Sequence, residues 1–203
     1  MDDKLKQMYD EAIWVGRNIF LRNKTSGSSA NMSFIYKDAV YITSSGTCFG
    51  DLAIESFSVI DANGDLLQGK KPSKEYPLHL ALYRSCEVKA VIHTHAFYST
   101  LCSCYLPSDK DDAVLPYTPY LDMKLGKIKW VPYAPPGTNE LFDLFDKNVD
   151  GRAGYLLGSH GPIVGGKNLK DTFYKLEELE ESCHIMWEIN REQYKNKQPI
   201  KIR

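Results

Sequence analysis

The stretch KAVIHTHAFYSTLCS, residues 89–103, decides the architecture. It reads as a buried strand through the apolar Ala90 to Ile92, running into a helix or loop. A strand sends alternate side chains to one face, so His93 and His95 are expected to point the same way. Two imidazoles side by side can be a packing coincidence, a hydrogen-bonded pair or two legs of a metal site. The pair by itself leaves all three open.

Upstream, Leu5, Met8, Ala12, Val15 and Ile19 recur at three- and four-residue steps, which predicts an amphipathic helix over residues 5–20. A polar Gly/Ser loop follows at 23–33. SFIY (33–36) and AVYIT (39–43) read as a hairpin about Lys37-Asp38, and FSVIDANGDLLQG (57–69) as a second one turning at Asn63-Gly64. KPSKEYPLHLALYRSC (71–86) starts a helix, with Ser73 as the expected N-cap and Pro77 early enough that its missing N–H costs nothing.

Downstream, the proline-rich segment 115–138 reads as irregular. GYLLGSHGPIVGG (154–166) reads as two short strands around His160-Gly161-Pro162. A long final helix carries Leu169, Phe173, Leu176, Leu179, Cys183 and Met186 as its apolar stripe, with Asn168 as cap and Asp171 three residues on. The basic tail, 194–203, is expected to be mobile or to pack on a neighbour. Strand pairs alternate with helices and no composition break divides the chain. The expectation is one α/β domain over residues 1–203, with a central, largely antiparallel or mixed sheet between helices.

The 203 residues are 43% hydrophobic and 25% charged, the balance of a globular chain with a sizeable core. A formal net charge of −1 argues against a nucleic-acid partner or a polybasic membrane surface. The opening MDDKLKQMYD is unlike a secretory signal, and no apolar run approaches the length of a bilayer span. Five cysteines, an odd number, fit reduced thiols and a cytoplasmic location. Cys102 and Cys104 form a C-x-C, either a soft-metal pair or two small core residues.

His79 and His184 fall inside helix patterns and read as satisfied, partly buried side chains. His93, His95 and His160 fall at the ends of predicted strands, where loops mount functional groups. Three imidazoles with an open fourth position describe a catalytic zinc site; a closed structural site wants four cysteine or histidine ligands, and the sequence has no C-x-x-C. Glu75, in the opening turn of a helix, reads either as a residue favoured by the helix dipole or as a proton-transfer group and fourth ligand. Three segments, SGSSANMS (26–33), TSSGT (43–47) and PSK (72–74), are rich in hydroxyls and small residues; they are ordinary loops or, together, a phosphate cradle. Nucleotide, zinc-protease and serine-hydrolase signatures are absent.

Taken in order, ANMS (30–33), TSSG (43–46), PSKE (72–75), HTH (93–95) and SHG (159–161) resemble the class II aldolase/adducin family, which includes fuculose-phosphate aldolases and ribulose-phosphate 4-epimerases. SGSSANMS, KPSKEYPLHLALY (71–83) and LPYTPYLDMKLG (115–126) are most similar to its 3-oxo-tetronate 4-phosphate decarboxylases. The resemblance implies a three-layer α/β/α domain and a homotetramer with sites between subunits. It implies a divalent metal, usually Zn2+ with Mn2+ or Co2+ as substitutes, held by His93, His95 and His160. Glu75 becomes the acid/base residue that also touches the metal. Asn31, Thr43, Ser45, Gly46 and Ser73 match phosphate-holding positions. Ala30 and Ser159 depart from the family's usual glycine and asparagine.

The expected reaction is decarboxylation of 3-oxo-tetronate 4-phosphate to dihydroxyacetone phosphate and carbon dioxide. A Lewis acid at the 3-oxo oxygen takes up the electrons as a metal-bound enediolate, and protonated Glu75 delivers a proton to carbon 2. Lys74 is expected to meet the departing carboxylate or the phosphate, and Tyr120 to contact substrate from a neighbouring subunit. The same machinery serves an aldolase or a 4-epimerase, and the fold also occurs in non-catalytic adducin-like interaction domains.

Overall fold

The structure, a computed structural model, describes residues 2–199 and, at Tyr194, the backbone only. The end of the basic tail, 200–203, lies outside the described residues.

The chain opens with helix α1 (Asp3–Leu21), whose start is set by Asp2: its carboxylate accepts from the Leu5 N–H at 2.9 Å. Tyr9, Ala12, Val15 and Ile19 are its buried stripe. Strands β1 (Asn31–Tyr36) and β2 (Ala39–Thr43) form the first predicted hairpin, with Lys37 at positive φ in the turn. Strands β3 (Phe57–Ile60) and β4 (Leu66–Gln68) form the second, where the Asp61 carboxylate accepts from the Asn63 and Asp65 N–H groups and Gly64 takes φ +95°.

Helix α2 (Tyr76–Ser85) corrects one expectation. Its N-cap position falls on Glu75, not Ser73, and Pro77 lies within the first turn. Ser73 instead sits two residues upstream, its hydroxyl accepting from the Glu75 N–H at 3.4 Å. Strand β5 (Ala90–His93) then runs into α3 (Phe97–Ser103), as the opening stretch predicts.

The proline-rich segment is not all irregular. It holds α4 (Pro119–Lys124), with Pro119 at the helix start where its missing N–H is harmless, and β6 (Lys129–Val131). A further helix that the sequence reading left unassigned, α5 (Asn139–Asn148), is capped by Thr138 and buries Leu141 and Phe145. Strands β7 (Gly154–Leu157) and β8 (Gly161–Gly166) turn through residues 158–160, so Gly161 and Pro162 belong to the strand rather than to the turn. The long α6 (Leu169–Tyr194) begins where expected: Asn168 Oδ1 accepts from the Asp171 N–H at 2.8 Å.

All eight strands join one mixed sheet in the order β4-β3-β2-β1-β5-β8-β7-β6, antiparallel except for the β6–β7 pair. The pleat sorts its two faces. Met32, Phe34, Ile92, Leu156 and Val164 pack against α1 and α6. Val91, Tyr155, Leu157 and Ile163 pack against α2 and α5. This is the three-layer α/β/α architecture. No described helix is long and apolar enough to cross a membrane.

Candidate metal centre and its cavity

The site forms on the face of the sheet covered by α2. His93 ends β5 and pairs with Asn31 at the start of β1 and with Ile163 on β8. His95 lies two residues on, and His160 ends the β7–β8 turn. The three ring centroids stand 4.7 to 5.2 Å apart, and one nitrogen from each ring lies within 4.8 Å of the others. The expectation that His93 and His95 share a side therefore holds. Among the described residues this is the one group of three potential ligands that converges. Cys102 is buried, with its Sγ on the Cys183 carbonyl, and joins no such group.

The rings are fitted to a cation. His93 Nδ1 faces the Pro162 carbonyl at 2.8 Å; a carbonyl only accepts, so Nδ1 carries the proton and Nε2 presents its lone pair. That lone pair lies 3.2 Å from His160 Nε2. His95 Nε2 is buried with no hydrogen-bond partner, which is costly unless something binds there. Desolvation holds the pKa of both His93 and His160 down to about 3 and lowers that of His95, so all three rings are neutral, as metal binding requires.

Glu75 reaches the same point from the start of α2. Its Oε1 lies 3.4 Å from His160 Nε2 and its Oε2 3.5 Å from His93 Nε2. Asn31 Nδ2 donates to Oε2 at 3.0 Å.

One long-range contact and one close backbone approach hold the histidines in place. Glu180, buried on α6, accepts from the N–H groups of Tyr98 and Ser99 at 3.0 and 2.9 Å, capping α3 from a distant helix and anchoring the turn that carries His95. The sequence offered no local signal for this long-range cap. Gly161 allows β8 to approach β5 closely; a Cβ there would fall 2.5 Å from the Thr94 carbonyl oxygen. Ser159 takes φ +52°, a conformation more natural to asparagine than to serine.

A cavity of about 360 Å³ opens beside the imidazoles. All three hydroxyl-rich loops line it: Asn31 closes the first, Ser45 and Gly46 come from the second, Ser73 and Lys74 from the third. The second and third are stitched together, Ser73 N–H donating to the Thr43 carbonyl at 3.0 Å and Ser45 N–H to the Lys71 carbonyl at 2.9 Å. Lys74 makes no ion pair among the described residues, so its ammonium is free to meet an anion. Two expected contacts fall elsewhere. Thr43 is fully buried, its hydroxyl accepting from the Met32 N–H at 3.1 Å, and it does not line the cavity. Tyr120, on α4, is 56% exposed and does not line it either.

His79 is more than the partly buried side chain expected. It is fully buried beneath Asn31, its pKa lowered to about 3 by desolvation. His184 is half-buried, as expected, with its ring stacked on Tyr98 at a centroid distance of 3.8 Å. The His79 shift has a measurable consequence. A folded-state pKa below the unfolded value of about 6.5 costs nothing above that pH; as pH falls below it, the unfolded chain binds the proton and the folded one does not. His79 alone is therefore expected to remove about 2 kcal/mol of stability between about pH 7 and pH 5. Urea denaturation of metal-free wild type and of His79→Gln at both pH values checks this, and equal losses in the two proteins would refute it.

Similarity to known proteins agrees with this geometry. The family model described as the class II aldolase and adducin N-terminal domain matches residues 10–187. A 3-oxo-tetronate 4-phosphate decarboxylase of Pectobacterium atrosepticum is 38% identical over 87% of this chain and 82% of its own. An L-fuculose phosphate aldolase of Methanococcus maripaludis is 31% identical over 85% of this chain and 92% of its own. The crystal structure of YgbL from Escherichia coli superposes with a TM-score of 0.86 at 31% identity, covering 97% of this chain and 94% of that one. By these matches over most of its length, the chain belongs to the class II aldolase and adducin N-terminal domain family.

Proposed function

We propose that the protein is a metal-dependent carbon–carbon lyase that decarboxylates 3-oxo-tetronate 4-phosphate, yielding dihydroxyacetone phosphate and carbon dioxide. The observation that carries this reading is the convergence of three neutral imidazoles and Glu75 at a cavity that His95, His160 and Glu75 line, and whose other walls are hydroxyl-rich loops and a lysine. The decarboxylases at 36 to 38% identity support the choice of substrate.

His93, His95 and His160 would hold the cation, with zinc the expected ion and manganese or cobalt able to replace it. When bound it supplies a Lewis acid that withdraws electrons from a carbonyl oxygen. The chain's own residues do the rest. Ser45, Gly46 and Ser73 hold the phosphate, remote from the bond that breaks, and so fix the substrate's orientation. Lys74 pairs with the second anionic group, the carboxylate, before it leaves. Glu75, held by Asn31, delivers a proton to carbon 2 once carbon dioxide has departed. Leu115, Tyr117, Tyr120 and Met123 are large, exposed and close in sequence, which supports a homo-oligomer. We take it to be a tetramer in which Tyr120 reaches a neighbour's substrate.

The test is direct. Zinc-loaded protein is expected to release carbon dioxide and dihydroxyacetone phosphate in equal amounts from 3-oxo-tetronate 4-phosphate. Fuculose 1-phosphate, assayed in parallel, covers the second reading, which the aldolases at 31% identity favour. Turnover of the aldol substrate alone overturns the decarboxylase assignment, and turnover of neither supports an adducin-like binding role.

A further inference from the structure

The proposed reaction leaves one buried titratable side chain unused. His79 lies on α2, four residues beyond Glu75, with no exposed surface. Its Nε2 is 2.6 Å from Asn31 Oδ1 and its Nδ1 2.7 Å from Ser33 Oγ. Ser33 Oγ is in turn 2.7 Å from the Tyr83 hydroxyl. On the far side, Asn31 Nδ2 donates to Glu75 Oε2. Four hydrogen bonds thus connect Tyr83, Ser33, His79, Asn31 and Glu75 in a single line.

The directions along this line follow from donor chemistry. An amide oxygen has only lone pairs, so His79 Nε2 carries the proton that Asn31 Oδ1 accepts. A neutral ring then has a bare Nδ1, so Ser33 donates to it. The Ser33 oxygen, its proton committed, accepts from Tyr83. Burial reinforces the neutral state of the ring. With the Glu75 carboxylate ionised, this orientation is the one that satisfies the line.

An asparagine amide has two orientations of almost identical shape and opposite polarity. Turned over, Asn31 would set its oxygen against the Glu75 carboxylate, lone pair against lone pair. We propose that His79 is a positioning residue: as the Nε2–H tautomer it locks the Asn31 amide with its NH2 group toward Glu75, and so holds that carboxylate over the three imidazoles. Ser33 and Tyr83 select the tautomer from the other side of the ring. His79 touches neither substrate nor cation and acts through Asn31 alone. The kinetic consequence rests on the role proposed for Glu75; the hydrogen-bond direction does not.

Nitrogen-15 spectra of the imidazoles in metal-free protein give the first readout. His79 is expected as a neutral ring, protonated at Nε2 and bare at Nδ1, from about pH 5 to 8. A ring protonated at Nδ1, or a cationic ring, overturns the proposal. The Asn31 side-chain NH2 protons are expected to be protected from exchange in wild type and in His79→Gln, whose amide nitrogen can replace Nε2 as donor, but not in His79→Leu. Ser33→Ala removes the donor to Nδ1 without touching Asn31 and is expected to give a mixture of tautomers; it keeps the test open if His79→Leu does not fold. In the metal-saturated enzyme, His79→Leu is expected to lose about 10- to 100-fold in kcat with KM little changed, and His79→Gln to recover most of it. Equal losses in the two variants mean that the ring only fills space, and the proposal fails. A protein that turns over neither test substrate refutes the proposed activity, and the two spectroscopic readouts then decide the role of His79.

Discussion

His95→Ala is expected to give a folded protein that no longer holds metal and has lost at least about a thousandfold of its turnover. The fold survives because His95 Nε2 makes no hydrogen bond within the protein, so truncation leaves no partner stranded. His93 is a poorer probe: its Nδ1 ties β5 to the Pro162 carbonyl on β8, and removing it damages the sheet as well as the site. A thousandfold corresponds to about 4 kcal/mol of transition-state stabilisation, within what a Lewis acid supplies. Metal analysis of the purified variant, beside its circular dichroism and kcat, decides the matter. Bound metal also stabilises the folded state, so the gap in Tm between metal-loaded and chelator-treated wild type should close in the variant. A metal content equal to that of wild type removes His95 from the site.

Glu75→Gln is expected to lower turnover by about 10²- to 10⁴-fold, the range of a lost general acid or base, with metal content and KM close to wild type. The amide keeps the carboxylate's shape and still offers Asn31 an acceptor, so the pocket does not collapse. What it lacks is a transferable proton. Inductively coupled plasma analysis beside steady-state kinetics separates the two roles given to Glu75. Loss of metal assigns it to the ligand set, and full activity excludes it from proton transfer.

Much of this was legible in the sequence because the features that carry it are local. The stripes of α1 and α6 repeat at helical spacing, Asn168 announces the start of α6, and the hairpin at Asn63-Gly64 has its turn residues in place. The two-residue step from His93 to His95 puts both rings on one side, although β5 itself ends at His93. What was missed depends on contacts distant in sequence. The three-residue β6 exists because it pairs in parallel with β7, and prolines on either side hide it. The helix α4 is short and opens on a proline, a sign as readily taken for a turn. The start of α2 was misjudged because Ser73 accepts from the Glu75 N–H as a cap would, but two residues too early. His79 was passed over because its partners, Asn31 and Ser33, lie more than forty positions away. The four-residue step from Glu75 was the available clue.

The register of the central strands has a further consequence. Asn31, His93 and Ile163 lie side by side across β1, β5 and β8, so the pleat itself indexes the imidazole against the amide that steadies Glu75. Sliding any of these strands by a single position would turn its side chains to the opposite face. Ser45, Gly46, Ser73 and Lys74, which line the cavity, are carried instead by the loop after β2 and the segment before α2. On the proposed assignment, the cavity loops can vary with the substrate while the strand register keeps the His93 ring and the Asn31 amide in alignment.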